Sequence, residues 1–144
     1  MTSTTPGAGE QPWIQAFSAK DPEAFAKAFA PDVVLEAATL RKPIQGRDLM
    51  ADVMATASSI YESLVFTHQA TNGPRTYIEW EATAFGGVEL RGSTILTVND
   101  GGQIVRAVIQ HRPLDALLRF SAEMGKRTAG KIDPGYFYEG EVRS

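Results

Sequence analysis

The sequence predicts a single α+β domain in which a curved antiparallel sheet and helices close around an apolar pocket. Three observations predict this fold class. The first half of the chain has stretches with apolar residues three or four apart, the spacing of helices that bury one side. The second half has four runs of alternating apolar and polar residues, separated by short turns rich in Gly and Asn. With 144 residues, the chain has the usual size of one domain.

Composition excludes several classes of protein. The chain has no cysteine, which rules out disulfides, thiolate nucleophiles and Cys-based zinc sites and favours a reducing, cytoplasmic location. Its net charge is −3 and its basic residues are scattered, so we expect no nucleic acid partner. No apolar run approaches the roughly 20 residues that a membrane span needs, so we expect no membrane association.

The chain divides into three parts. Residues 1–10 are rich in Ser, Thr, Gly and Pro and predict a disordered leader, because such a segment cannot bury apolar area. Residues 11–127 form the single domain. Residues 128–144 form a tail with the aromatic cluster Tyr136-Phe137-Tyr138, which we expect to pack on the domain or on a neighbouring chain.

Two short helices begin the domain. Pro12 suits a first helical turn, and Trp13, Ile14 and Phe17 then fall on one side of a helix that ends near Lys20. Asp21-Pro22-Glu23 supplies an N-cap, a first-turn proline and a favourably placed acid for a second helix. This helix is predicted to run to about Phe29.

A short strand and a third helix follow. Pro31-Asp32 ends the second helix, and residues 33–38 are predicted to form the strand. From Arg47 to Tyr61 the apolar residues, Met50 and Met54 among them, recur at the spacing of a helix with one buried stripe.

Four strands are predicted at residues 64–71, 76–84, 88–98 and 104–111, forming an antiparallel meander. A three-residue loop of Phe85, Gly86 and Gly87 would pair Glu81 with Arg91 and Trp80 with Gly92. Strand alternation then gives a buried concave face of Ile78, Trp80, Ala82, Leu90, Thr94, Leu96 and Val98. It gives an outer face of Tyr77, Glu79, Glu81, Glu89 and Arg91.

A last helix is predicted from Pro113 onwards. Its apolar stripe is expected to consist of Leu114, Leu117, Leu118 and Met124.

Four local sequences resemble the nuclear-transport-factor-2-like superfamily, whose fold is a cone, or cystatin-like α+β barrel. They are residues 13–21, 30–33, 44–47 and 98–105, and the likeness covers about residues 11–125. The superfamily includes ketosteroid isomerases, limonene epoxide hydrolase, SnoaL-like polyketide cyclases and members with no settled function. The resemblance implies a deep pocket between the first helix, the concave strand face and the third helix. It also implies a homodimer that pairs through the outer sheet face.

The resemblance further implies which residues occupy the site. Trp13 falls where ketosteroid isomerases carry an oxyanion-hole tyrosine, Ala37 where they carry the catalytic aspartate, and Thr94 where they carry a second, protonated aspartate. Ile109 falls where limonene epoxide hydrolase and the cyclases carry an aspartate. The usual catalytic carboxylates are therefore replaced. His111 matches a pocket-lining position and is the best candidate for a catalytic acid or base.

Each titratable candidate also has a structural interpretation. His111 would equally suit a histidine whose ring is satisfied by a backbone carbonyl. His68 shares the predicted face of Phe66 and would reach the pocket rim or serve structure only. Glu79 and Glu81 alternate outward opposite Arg91 and are interpreted as surface or interface charges. Two histidines without a carboxylate at helical spacing give no metal signature, so we expect neither a metal nor another cofactor.

We therefore expect a protein that binds a small apolar, steroid-like or polyketide-like molecule. The expected ligand-binding residues are Trp13, Phe17, Ala37, Met54, Trp80, Thr94 and Ile109. Trp13, Phe17, Met50, Met54 and Trp80 equally fit a plain core, which is the favoured interpretation for Phe17 and Met50. The indole N–H groups and Thr94 would hold a carbonyl or hydroxyl of the ligand. The alternative function is a non-catalytic dimeric accessory domain whose pocket is filled by its own side chains.

Overall fold

The computed structural model describes residues 12–139, so the predicted leader at residues 1–10 lies outside the described residues. The helices are α1 Pro12–Ala19, α2 Pro22–Ala28, α3 Arg47–Ile60 and α4 Leu114–Arg127. The strands are β1 Phe29–Ala37, β2 Ile44–Gln45, β3 Ser63–Asn72, β4 Arg75–Ala84, β5 Val88–Val98 and β6 Ile104–Arg112. Within this part of the chain, no helix has the length and apolar character needed to cross a membrane.

The strands form one curved sheet in the order β2-β1-β6-β5-β4-β3, which confirms the α+β cone. The predicted antiparallel meander is confirmed for β3 to β6. The sheet as a whole is mixed, because β1 pairs in parallel with β6, joining Glu36 to Val108 and Ala37 to Ile109. A parallel pair needs a long crossover, and here the chain between the two strands supplies it. The sheet stays open as a cone and does not close into a barrel.

The register predicted for the central hairpin is confirmed. Glu81 pairs with Arg91 and Trp80 pairs with Gly92. The intervening loop has positive φ angles at Phe85, Gly86 and Gly87, which lets three residues reverse the chain. The predicted concave residues are buried or partly buried, and the predicted outer residues are exposed.

His68 does not share the face of Phe66, so that prediction is wrong. Phe66 pairs with Trp80, whereas His68 pairs with Glu79, which leaves Thr67 as an extra residue in β3. Such a bulge reverses the alternation of the residues that follow it. The His68 side chain is 77% exposed on the outer face, with its Nδ1 3.3 Å from a carboxylate oxygen of Glu79.

The second helix and the first strand meet earlier than predicted. The Asp21 side chain caps α2 by accepting a hydrogen bond from the Glu23 N–H at 3.3 Å, as expected. β1 then begins at Phe29 and includes Pro31, which the prediction placed in a break. Proline is tolerated there because the pairing with β6 changes register between Phe29 and Val34, where the ladder is irregular.

The buried stripe of α4 differs from the predicted one. Leu114 is 69% exposed, and the stripe consists of Ala116, Phe120, Ser121 and Met124. Leu114 is the first residue of the helix, and residues 12–139 leave most of its side chain uncovered.

The chain after α4 packs back on the domain. Phe137 is 1% exposed and lies against Gly125, where an added Cβ would come within 3.4 Å of the Phe137 side chain. The Ser121 hydroxyl joins this segment to the β1–β2 connection by donating to the Thr39 carbonyl at 2.6 Å and accepting from the Tyr138 N–H at 2.8 Å. Of the two expectations for the aromatic cluster, packing on its own domain therefore holds for Phe137.

Candidate ligand-binding pocket

A cavity of about 30 Å³ lies between the concave face of the sheet and three helices. The strands line it with Leu35, Ala37, Leu64, Phe66, Trp80, Thr94, Ile109 and His111. The helices and connections line it with Trp13, Phe17, Thr39, Leu40, Val53, Met54, Ala57, Tyr61, Phe120 and Met124. All eight predicted site residues therefore line one cavity, and their contact with a ligand stays a prediction.

One row of residues across three strands shapes the floor of the cavity. Trp80 on β4 pairs with Gly92 on β5, which pairs with His111 on β6. Gly92 has no side chain, so the two flanking rings meet edge to face with their centroids 5.2 Å apart. A glycine in the central strand thus brings the indole and the imidazole together.

His111 is held in apolar surroundings. Its ring lies 5.7 Å from that of Phe120, and its Nδ1 is buried without a hydrogen-bond partner among residues 12–139. The interpretation of a histidine satisfied by a backbone carbonyl therefore does not hold for Nδ1. Burial lowers the pKa of His111 to about 4, so the imidazole is neutral at pH 7.

The two indoles in the cavity differ in their hydrogen bonds. Trp80 Nε1 donates to Thr94 Oγ1 at 3.1 Å. Trp13 Nε1 is buried and has no acceptor in the described part of the chain. The expectation that both indole N–H groups hold a ligand therefore needs correction, because the Trp80 N–H is already bound to Thr94, whereas the Thr94 hydroxyl keeps its own donor.

Tyr61, Phe66 and Phe120 line the cavity but were not among the predicted site residues. The Tyr61 ring contacts Phe120 with centroids 5.0 Å apart, and burial raises the pKa of the Tyr61 hydroxyl. The spacing of Phe120 and Met124, four residues apart on α4, was the signal that could have found Phe120. Tyr61 directly follows α3, where helical periodicity no longer indicates which way a side chain points.

No Asp, Glu, Lys or Arg side chain of the described residues lines the cavity. None of the lining residues carries a carboxylate. Glu79 and Glu81 are exposed on the outer face, as predicted, and Glu36 pairs with Arg106 at 2.8 Å. The described residues contain no cluster of three His, Cys, Asp or Glu side chains that could hold a metal ion.

Comparison with known proteins points to one family and one fold. Residues 11–107 match the SnoaL-like domain family. A steroid delta-isomerase from Pseudomonas aeruginosa is 25% identical with a TM-score of 0.75, covering 81% of this chain and 86% of its own. An uncharacterized protein with a cystatin-like fold from Silicibacter pomeroyi is 21% identical, with a TM-score of 0.78. The match covers 86% of this chain and 90% of that protein. An NTF2-like protein of unknown function from Mesorhizobium loti is 20% identical, with a TM-score of 0.62. The match covers 78% of this chain and 98% of that protein. No curated protein is similar enough to this chain to count as a match.

Proposed function

The chain belongs to the SnoaL-like domain family, and on that premise we propose that it binds a small, mostly apolar molecule whose polar group pairs with Trp13 and His111. The observation that carries the proposal is the pair of buried, unpartnered nitrogen atoms that border one cavity, Trp13 Nε1 and His111 Nδ1.

A buried nitrogen without a hydrogen-bond partner lowers the stability of the folded state. Two such nitrogens on the lining of one cavity therefore call for an explanation. Leaving one such group unsatisfied costs about 1–3 kcal/mol, and native proteins have few of them. A ligand carbonyl would accept a hydrogen bond from the Trp13 indole, which can only donate. A neutral imidazole has one donor and one acceptor, so His111 suits a carbonyl or a hydroxyl according to its tautomer.

The other cavity walls favour an apolar ligand. Apart from the tryptophan, histidine, threonine and tyrosine side chains, every lining residue is apolar. The similarity to a steroid delta-isomerase at 25% identity supports a polycyclic ligand. The catalytic role of His111 stays a prediction, and a pKa of about 4 makes the imidazole a weak base, suited to hydrogen bonding more than to proton abstraction.

Ligand binding requires part of the wall to move. A volume of about 30 Å³ holds on the order of one or two water molecules, whereas ligand pockets usually measure about 300–1,000 Å³. Phe17 is the half-buried wall residue of α1 and packs edge-on against both Trp13 and Phe25. Rotation of its ring toward solvent would enlarge the cavity without disturbing the sheet.

A pair of matched probes tests the proposal. We expect 2-acetylnaphthalene to bind about 2- to 10-fold more tightly than 2-ethylnaphthalene in equilibrium dialysis, because only the acetyl group can accept a hydrogen bond. Trp13→Phe and His111→Phe should each reduce this preference, and the exposed outer-face variant Tyr77→Phe should leave it unchanged. Equal binding of the two probes, or no saturable binding of either, would contradict the proposal.

A second candidate function, a non-catalytic dimeric accessory domain, is supported by the small cavity volume and by the outer face of the sheet. Val65 is 58% exposed there and Tyr77 is 38% exposed. Such residues on an otherwise polar surface suit contact with a second copy of the chain. In sedimentation equilibrium, Tyr77→Asp should then convert a dimer to a monomer, and a wild-type monomer would exclude this candidate.

A further inference from the structure

A second cavity, of about 180 Å³, lies directly beside the apolar pocket. Four side chains line both spaces, namely Phe17, Tyr61, Leu64 and Phe66. The Phe17 ring centroid is 6.3 Å from that of Tyr61 and 5.8 Å from that of Phe66, so these rings form the partition between the two spaces. We call the second cavity the vestibule. Since the Phe17 side chain lines both spaces, rotation of its ring would join them.

The outer wall of the vestibule is polar. It is formed by the exposed residues Ser18, Lys20, Glu62 and Ser63. The carboxylate of Glu62 is already engaged, since its two oxygens accept hydrogen bonds from the N–H groups of Gly86 at 2.6 Å and Gly87 at 3.1 Å. Lys20 makes no ion pair with any residue in the range 12–139. Within that range, the rim of the vestibule therefore carries one cation with no ion pair, Lys20, and one carboxylate, Glu62, whose oxygens are both held by backbone N–H groups.

The backbone places this lysine in an unusual conformation. Lys20 directly follows α1 and has a φ of +55°, while its N–H donates to the Ala16 carbonyl at 2.9 Å. This is the left-handed helix end at which glycine or asparagine is usual. A cation at a helix C-terminus gains from the helix dipole, but α1 has only eight residues and glycine would relieve the strain. A strained residue beside a cavity points to a role for its side chain.

We infer that the ligand is an elongated molecule with an apolar body in the pocket and a carboxylate in the vestibule beside Lys20. The inference rests on the proposed function and adds the second polar end of the ligand. The body would displace the ring of Phe17, and the carboxylate would face the ammonium group at the rim. The pocket and the vestibule together thus select for molecules with a hydrogen-bonding group at one end and an anion at the other.

The test compares 6-acetyl-2-naphthoic acid with 2-acetylnaphthalene, which differ only in the carboxylate at the far end of the ring system. At pH 7 and low salt, we expect the acid to bind the wild-type protein about 2- to 5-fold more tightly, the range typical of an exposed ion pair. Lys20→Gln should abolish this preference, and Lys20→Arg should keep it. Neither Lys20→Gln nor Lys20→Arg should change the affinity for 2-acetylnaphthalene.

The outcomes separate this inference from the proposed function. If 2-acetylnaphthalene fails to bind at all, the proposed function fails. If it binds with the expected dependence on Trp13 while the acid binds no more tightly, or Lys20→Gln leaves the ratio unchanged, only the anionic end is wrong. Weaker binding of the acid than of the neutral probe would show that repulsion by the Glu62 carboxylate outweighs attraction by Lys20. This result would also overturn the inference.

Discussion

Trp80 lies so close to Gly92 that a Cβ on Gly92 would overlap the indole and the backbone carbonyl of Gln110. The two residues are direct cross-strand partners, and the indole continues across β5 to donate a hydrogen bond to Thr94. The absence of a side chain at position 92 therefore allows the indole to lie against the sheet. It also leaves room for the ring of His111 from the strand on the other side.

Gly92→Ala should destabilise the protein by roughly 2–4 kcal/mol, because the added methyl group must displace either a large ring or the backbone. Urea unfolding followed by circular dichroism measures the loss. Gly101→Ala is the matched control, since its Cβ would come no closer than 3.5 Å to Asn99 Oδ1, an ordinary contact. Equal stabilities for the two variants would show that Trp80 does not depend on Gly92.

Thr94→Val should cost about 1–3 kcal/mol of the free energy of unfolding, because it leaves the buried Trp80 N–H without an acceptor while keeping the shape of the side chain. Thr94→Ser, which retains the hydroxyl, should cost less. Chemical denaturation of the three proteins measures the difference. A valine variant as stable as the wild type would mean that the indole finds another acceptor.

The burial of His111 predicts a pH dependence of stability. The pKa of His111 is lowered from 6.5 to about 4 in the folded protein, so between these values the unfolded chain binds a proton that the folded chain does not. Stability therefore falls as the pH falls from about 6.5 to about 4 and gains nothing from this group above 6.5.

The difference in unfolding free energy between the wild type and His111→Phe isolates this effect from the titration of surface carboxylates. It should change with pH by on the order of 2–3 kcal/mol across that window. A difference that is independent of pH would show that the imidazole titrates normally and is open to water.

The segment after α4 contributes to the core through Phe137. Phe137→Ala should cost about 3–5 kcal/mol, since it removes a ring that is 1% exposed. Leu114→Ala, at a residue that is 69% exposed, should change stability by less than about 0.5 kcal/mol. Thermal unfolding of both variants provides the comparison. A larger loss of stability for Leu114→Ala than for Phe137→Ala would mean that Leu114 belongs to the buried stripe of α4, as predicted from the sequence.

Local patterns were sufficient to predict much of the sheet. Alternation and a three-residue loop placed Trp80, Thr94 and Glu81 on their observed faces. They could not reveal the bulge at Thr67, which reverses the face of His68, because a bulge depends on how two strands meet. The parallel pairing of β1 with β6 is likewise a contact between distant segments, which no local period encodes.

The chemistry of the pocket was harder to predict than its position. The resemblance brought Trp13 and His111 to one cavity, but whether each nitrogen has a partner depends on every neighbour in space. The same holds for the Trp80 N–H, which the Thr94 hydroxyl satisfies from the adjacent strand. The sequence predicts Lys20 only as the end of a helix, because a lysine gives no indication of a left-handed backbone.

The most direct measurement uses the indole N–H resonances of the two tryptophans in this chain. In a ¹H–¹⁵N spectrum assigned with Trp13→Phe, addition of 2-acetylnaphthalene should move the Trp13 resonance downfield as its N–H gains an acceptor. The Trp80 resonance, already bonded to Thr94, should move much less. A Trp13 resonance that does not respond to a saturating concentration of the probe would contradict the binding of a ligand in this cavity.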